Sequence, residues 1–253
     1  MSPAFKVLIP ARYGSSRLAG KPLMMIGQKT LIQHVYESAC ASHAEKVIIA
    51  TDDDRIDDVG RSLGATVVMT SREHLSGTDR IYEAVKKLGC PDDEIIVNVQ
   101  GDEFGLAPEL INTVAATLDN HWDVQIATLC EKITTETDYQ NPNTVKLVME
   151  KNQRAMYFSR APIPWQPKST TGAVSPGFYG YKHIGIYAYR CGFLRTFAGL
   201  EKPPLEQTES LEQLRALYHG YPIQVAEVTV KGGIEVNTEE DLWRARKSIK
   251  NEA

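Results

Sequence analysis

The first hundred residues alternate apolar, strand-length runs with amphipathic, helix-length segments, and this alternation limits the possible folds more than any other property of the chain. Strands are expected at Phe5–Ile9, Lys46–Ala50, Thr66–Thr70 and Glu94–Val99, and helices at Leu31–Ser42, Arg55–Leu63 and Asp79–Leu88. Short apolar strands joined by helices predict an α/β fold with a mostly parallel sheet flanked by helices. The strands run out into polar residues: Pro10-Ala-Arg12, Thr51-Asp-Asp53, Thr70-Ser-Arg72 and Gln100-Gly-Asp-Glu103. Open sheets of this class bind ligands beyond the carboxyl ends of their strands, so these four ends are expected to line one crevice.

The second half is less regular. Strands are expected at Val124–Cys130, Thr144–Met149, His183–Tyr189 and Ile223–Val228, and the Pro/Gly/Ser-rich stretch from Pro162 to Gly180 is expected to be a mobile loop or interface arm. There is no internal repeat or linker, so residues 1–253 are read as one domain. With 42% hydrophobic and 24% charged residues the chain has the make-up of an ordinary globular protein. Its net charge of -4 gives no general attraction to nucleic acid or anionic membranes, so any phosphate must be bound by a local cluster of cations. Cys40, Cys90, Cys130 and Cys191 are too dispersed for a disulfide scaffold and are expected to be reduced. No basic leader followed by a long apolar run begins the sequence, and no uncharged run approaches about 18 residues. A cytoplasmic protein without membrane insertion is expected.

The loop after the first strand has the make-up of a phosphate cradle. Gly14, Ser15, Ser16 and Gly20 allow backbone N–H groups close to a ligand, while Arg12, Arg17 and Lys21 bring three cations to the same turn. The loop lacks the Gly-x-x-x-x-Gly-Lys-Ser/Thr and Gly-x-Gly-x-x-Gly patterns, which argues against P-loop ATPase chemistry and nicotinamide binding. Asp102 follows the apolar run Ile95–Val99, a position suited to Mg²⁺ held by one or two carboxylates plus phosphate oxygens. Ser76 or Thr78 is placed to cap the helix that follows. Arg80 in its first turn opposes the helix dipole unless an anion holds it. Between Leu205 and Tyr218, Leu211, Leu214, Leu217 and Tyr218 fall at helical spacing as a core stripe, with Glu209, Glu212 and Gln213 on a neighbouring face. His183 and Tyr187, four apart in an expected strand, share one face. His74 has no neighbours at metal-ligand spacing.

Taken in order, Ile9–Arg17, Gly20-Lys-Pro-Leu23, His74–Arg80, Asn98–Glu103, Tyr157-Phe-Ser-Arg160, His183–Tyr187 and Leu211-Glu-Gln-Leu-Arg215 resemble the 3-deoxy-manno-octulosonate cytidylyltransferases, the CMP-Kdo synthetases. The resemblance spans nearly the whole chain. It implies a Rossmann-like nucleotidyltransferase, with a nucleotide-binding half over about residues 1–125 and a sugar-acid-binding and dimerisation half over about 126–253. It also implies the reaction: CMP passes from CTP to a 2-keto-3-deoxy sugar acid with release of pyrophosphate, for lipopolysaccharide biosynthesis, usually in a Mg²⁺-dependent homodimer. Carried over by motif, Ala11, Arg12, Ser16, Arg17 and Lys21 would hold the triphosphate and part of the base, and Arg72, Ser76 and Thr78 would frame the nucleoside. Arg80, Gln100, His183, Tyr187, Glu212 and Gln213 would face the sugar acid, whose carboxylate or a nearby phosphate would be the anion for Arg80. Arg12, Lys21 and Asp102 would carry the chemistry, with Asp102 on the metal.

Two positions depart from the family pattern. Phe104 follows Gln-Gly-Asp-Glu where the family has Pro, and Asn237 stands where a second metal carboxylate is expected, leaving Asn237 or Glu235 to complete the metal site. Both departures are expected near the acceptor end of the cleft. They admit the 8-amino analogue of Kdo as acceptor beside Kdo itself. A nucleotidyltransferase for a sialic-type acid, or a weakened nucleotide-binding regulatory homologue, remain the alternatives, and no residue is singled out as general base.

Overall fold

The computed structural model describes residues 3–14, 18–74, 76–166, 180–230 and 232–250. Strand β1 (Phe5–Ala11) is buried at every residue but Lys6, as a strand covered on both faces must be. Its side chains alternate: Phe5, Val7, Ile9 and Ala11 enter one core layer and Leu8 the other. After β1 come a short hairpin of β2 (Met25–Ile26) and β3 (Lys29–Thr30), then α1 (Leu31–Cys40), β4 (Lys46–Thr51), α2 (Asp54–Ser62), β5 (Thr66–Met69), α3 (Gly77–Leu88) and β6 (Ile95–Asn98). There follow β7 (Glu103–Phe104), α4 (Pro108–Asp119), β8 (Ile126–Ile133), α5 (Glu136–Gln140), β9 (Lys146–Met149), β10 (Ala155–Ser159) and β11 (Gly180–Arg190). The chain continues through α6 (Cys191–Gly199), α7 (Pro204–Glu209), α8 (Leu214–Tyr218), β12 (Ile223–Glu227), β13 (Ile234–Glu235) and α9 (Glu239–Lys250).

The sheet has a parallel centre, β5-β4-β1-β6, as the alternation predicts. Beyond β6 the long strand β11 runs antiparallel and holds the second half together. Its C-terminal end pairs with β6, its N-terminal end pairs with β9, and its other edge pairs with β8, which takes β12 in parallel. Helices α1, α4 and α9 cover one face, while α3, α6 and α8 cover the other. Expected and observed boundaries of the main strands differ by a few residues at most, since alternation marks a strand's interior better than its ends.

Two local expectations are corrected. The segment from Leu205 to Tyr218 is two short helices, because Ser210 adopts a left-handed conformation (φ 53°, ψ 48°) that ends α7. Leu211 and Leu214 are buried, but Tyr218 is 57% exposed and lies outside the stripe. Phe104 does not face the cleft. It is buried in the core with its ring edge-on to His34 at 5.0 Å. The segment Pro162 to Gly180 falls mostly outside the described residues.

The small antiparallel sheet of β7 and β13 brings Glu235 opposite Glu103, and the Val236 N–H donates to the Asp102 carbonyl at 2.9 Å. This pairing joins the C-terminal segment to the end of β6. Gly233 is required there, since a Cβ would lie 2.5 Å from the Phe104 carbonyl oxygen.

Candidate active site

The carboxyl ends of β1 and β6 open into a cleft of about 230 Å³. Arg12 and Lys21 line it from the opening loop, Ser76 and Arg80 from the start of α3, Gln100 and Asp102 from the turn after β6, and Glu235 and Asn237 from the β13 segment. The turn reaches β1 because residue 101 is glycine, where a Cβ would lie 2.7 Å from the Pro10 carbonyl oxygen. Lys21 makes a short ion pair with Asp102 Oδ2, and its Nζ also donates to Asn237 Oδ1 at 3.0 Å. Three segments remote in sequence thus meet at one ammonium group. Asn237 is held in turn: its amide donates to Glu235 Oε1 at 2.5 Å and its backbone N–H to Asp241 Oδ2 at 3.1 Å.

The same corner accumulates negative charge. Burial, reinforced by Glu235 and Asp102, pushes the Glu103 carboxyl up to about 7. Among the described residues no group of three His, Cys, Asp or Glu side chains is arranged to hold a metal ion. The oxygen donors present are one carboxylate, one amide and the neighbouring Glu235.

The wall formed by α3 is set by a cap and an ion pair. Ser76 is the N-cap of α3, its Oγ accepting from the Asp79 N–H at 3.1 Å, while Thr78 Oγ1 donates to Glu212 Oε2 at 2.6 Å. The anion that holds Arg80 is within the chain, contrary to expectation. Its guanidinium, 2% exposed, donates to Asp52 Oδ2 at 2.8 Å and to Thr70 Oγ1 at 2.5 Å. Asp52 stands at the end of β4, one of the polar strand ends, but a sequence does not reveal which arginine such a residue meets.

Arg72 is exposed and donates to the Asp52 carbonyl at 3.2 Å, outside the cleft lining. Its loop is tied to α3 by Glu83, which accepts from the Ser71 N–H and from His74. Burial opposes ionisation of Glu83, but Lys87, Ser71 and His74 together hold its carboxyl down at about 2. Ala11 lines the cleft, whereas Ser16 and Arg17 lie outside the described residues.

His183, Tyr187, Glu212 and Gln213 are not in the cleft lining, and Glu212 meets α3 through Thr78. A two-residue bulge in β11 between Ile184 and Tyr187 brings the His183 and Tyr187 rings to 5.3 Å, closer than four regular strand residues allow. Thr128 Oγ1 donates to the Ile186 carbonyl at 2.7 Å and lies 3.0 Å from His183 Nε2, so that nitrogen is the donor. Burial lowers the His183 imidazolium to about 3, leaving the ring neutral. Burial likewise raises Tyr187 and Glu212. Tyr187 Oη and Glu212 Oε1 are buried with no hydrogen-bond partner among the described residues, the nearest cation to the latter being Arg215 at 3.6 Å. Buried polar atoms are rarely left so, and two such atoms behind the cleft suit a polar ligand.

Comparison with known proteins converges on one family. A cytidylyltransferase family profile matches residues 6–228. A 3-deoxy-manno-octulosonate cytidylyltransferase of Idiomarina loihiensis is 50% identical over 249 residues, covering 96% of this chain and 98% of the relative. One from Coxiella burnetii is 48% identical over 244 residues, with 96% and 98% covered. A solved CMP:2-keto-3-deoxy-manno-octonic acid synthetase, complexed with CTP, superposes with a TM-score of 0.89 at 39% identity, covering 99% of this chain and all of its own. At 16% identity, a putative glucose-1-phosphate thymidylyltransferase of Bacillus anthracis shares the fold alone, with a TM-score of 0.63 over 98% of this chain and 96% of its own.

Proposed function

The chain belongs to the cytidylyltransferase family, among the 3-deoxy-manno-octulosonate cytidylyltransferases, and from that premise we propose that it transfers CMP from CTP to Kdo with release of pyrophosphate. The observation that carries the proposal is the meeting of Lys21, Asp102 and Asn237 across the β1–β6 crevice, in a chain alike over its whole length to a CTP-bound relative. The product would serve lipopolysaccharide biosynthesis, with the enzyme a cytoplasmic homodimer.

The residues present fit Mg²⁺. Asp102 and Asn237 already turn two oxygens toward a cation, the Lys21 ammonium, and Glu235 adds a carboxylate beside Asn237. Hard oxygen donors of this kind suit Mg²⁺. Asp102 would hold it, with Asn237 or Glu235 beside it. When bound, Mg²⁺ supplies positive charge to the phosphate oxygens.

The reaction is a direct displacement in which the anomeric hydroxyl of the sugar acid attacks the α-phosphorus and pyrophosphate leaves in line. Such a step needs positioning and charge neutralisation and no covalent enzyme intermediate. Lys21 offsets charge developing on the α-phosphate and the leaving group, with Arg12, Ser16 and Arg17 on the triphosphate and Ala11 against the nucleotide. Arg72, Ser76 and Thr78 frame the nucleoside. Arg80 and Gln100 face the sugar acid, and Tyr187 Oη and Glu212 Oε1, which lack a hydrogen-bond partner among the described residues, offer with His183 and Gln213 partners for sugar hydroxyls. Held at about 3 with its Nε2–H committed to Thr128, His183 is too weak a base at neutral pH to accept the hydroxyl proton, and its remaining nitrogen can only accept a hydrogen bond.

Pyrophosphate release from CTP and Mg²⁺, assayed with Kdo, its 8-amino analogue and a sialic-type acid, tests the assignment. Turnover with Kdo is expected, and none with any acid refutes the reading. The 8-amino analogue is included because Asn237 withholds a carboxylate from the cleft. A clear preference for Kdo excludes that acceptor.

A further inference from the structure

The acceptor-side residues Glu212 and Gln213 sit on the four-residue turn between α7 and α8, and the structure shows what fixes that turn. Its first residue, Ser210, is left-handed, a conformation that a residue with a side chain keeps only where its surroundings enforce it. Glu206 and Arg215 close the base of the turn as a buried bidentate pair, at 2.8 and 2.6 Å. The other anchor is Glu209, immediately before Ser210. Its carboxylate accepts from Ser159 Oγ at 2.6 Å and the Arg160 N–H at 2.9 Å, with Tyr157 Oη at 3.4 Å.

Arg160 answers from the other side. Its Nε donates to the Glu209 carbonyl at 2.8 Å and its Nη1 to the Pro142 carbonyl at 3.1 Å. The Arg160 carbonyl is in turn capped by the fully buried Lys146, whose Nζ also donates to the Asn141 carbonyl at 2.9 Å. The end of β10 is thereby locked at N–H, carbonyl and side chain, and Glu209 transmits that rigidity to the turn. A solvated face on one continuous helix needs none of these contacts.

We propose that Glu209 is a positioning residue for the sugar acid: it touches no reacting atom but fixes the α7–α8 turn so that Glu212 meets Thr78 and the acceptor wall is preformed. This rests on the functional reading above. Preformed contacts lower the ordering cost of binding, so loosening the turn weakens acceptor binding most, while the nucleotide loses only the Thr78 contact to the turn and keeps Arg12, Lys21 and Ser76.

The test compares Glu209→Ala and Glu209→Gln with the unaltered chain, using steady-state kinetics in both substrates and backbone hydrogen exchange. Glu209→Ala is expected to raise KM for Kdo about tenfold or more and leave KM for CTP within about twofold. Glu209→Gln, which keeps one acceptor oxygen, falls between. Exchange is expected to rise at Arg160 and across residues 210–213 and to stay unchanged along β1 and β6. Equal changes in both KM values, or no change in either, overturn the proposal. Absence of turnover by the unaltered chain overturns the functional reading, and the exchange pattern then decides by itself whether Glu209 holds the turn.

Discussion

Lys21 stands where three segments converge, and its ion pair with Asp102 does more than neutralise charge. With Asn237 it fixes the ammonium at the mouth of β1, so little reorganisation is needed when a phosphate arrives. Lys21→Ala is expected to lower kcat about 10²–10³-fold, the scale for losing one charge-stabilising group, with thermal unfolding near that of the parent. Near-normal turnover refutes the role. Asn237→Asp adds a carboxylate beside Asp102 and is expected to lower the Mg²⁺ concentration giving half-maximal pyrophosphate release, by about threefold or more; an unchanged midpoint removes Asn237 from the metal site. Residues of this kind were legible in the sequence because glycine, cations and an acid at strand ends carry their own chemistry. Arg80 shows the limit: the helix dipole says that it needs an anion, but only the fold shows that Asp52, at the end of a neighbouring strand, provides it.

At the scale of elements, helical spacing was a sound guide to burial and a poor one to continuity. Leu211 and Leu214 are buried as their spacing implies, yet the helix breaks at Ser210, whose modest preference for caps does not by itself announce a break. Tertiary partners hold the break, Glu206–Arg215 among them. Both side chains are nearly inaccessible, and Arg215 also stacks on Phe197 at 4.7 Å. Removing one partner of such a pair leaves a buried charge, so Glu206→Ala is expected to cost about 3–5 kcal/mol in urea unfolding. A loss below about 1 kcal/mol shows that Glu212 takes over as counter-ion. The β11 bulge was equally hidden, because period-two spacing places His183 and Tyr187 on one face but gives no sign that two extra residues bring their rings together.

For the whole molecule, the parallel centre and a crevice at the ends of β1 and β6 followed from alternation, but the ends of β4 and β5, expected in the same crevice, stay out of its lining, and the antiparallel half built on β11 did not follow, since its pairings join strands far apart in the chain. The β7–β13 sheet is the least legible of these, with two residues a side, yet it ties the C-terminal segment to the corner of Lys21 and Asp102 and partly buries Glu103 there. That burial makes stability depend on pH in a defined direction. The Glu103 carboxyl is raised from 4.5 to about 7, so the fold favours its protonated form. The resulting stabilisation is complete below pH 4.5 and is lost as pH rises through 7, at most about 3 kcal/mol. His183 runs the other way. Lowered from 6.5 to about 3, it stabilises fully above pH 6.5 and loses that contribution as pH falls toward 3, which masks Glu103 in the parent. Glu103→Gln isolates the carboxyl, since the amide is neutral throughout and leaves His183 untouched. Its melting temperature relative to the parent is expected to climb by several degrees between pH 5 and pH 8, at about 2–4 °C per kcal/mol for a chain of this size. Melting curves that stay parallel across that range mean that Glu103 is ionised in the folded protein at neutral pH, with its charge already balanced at the corner where Lys21 and Asp102 meet.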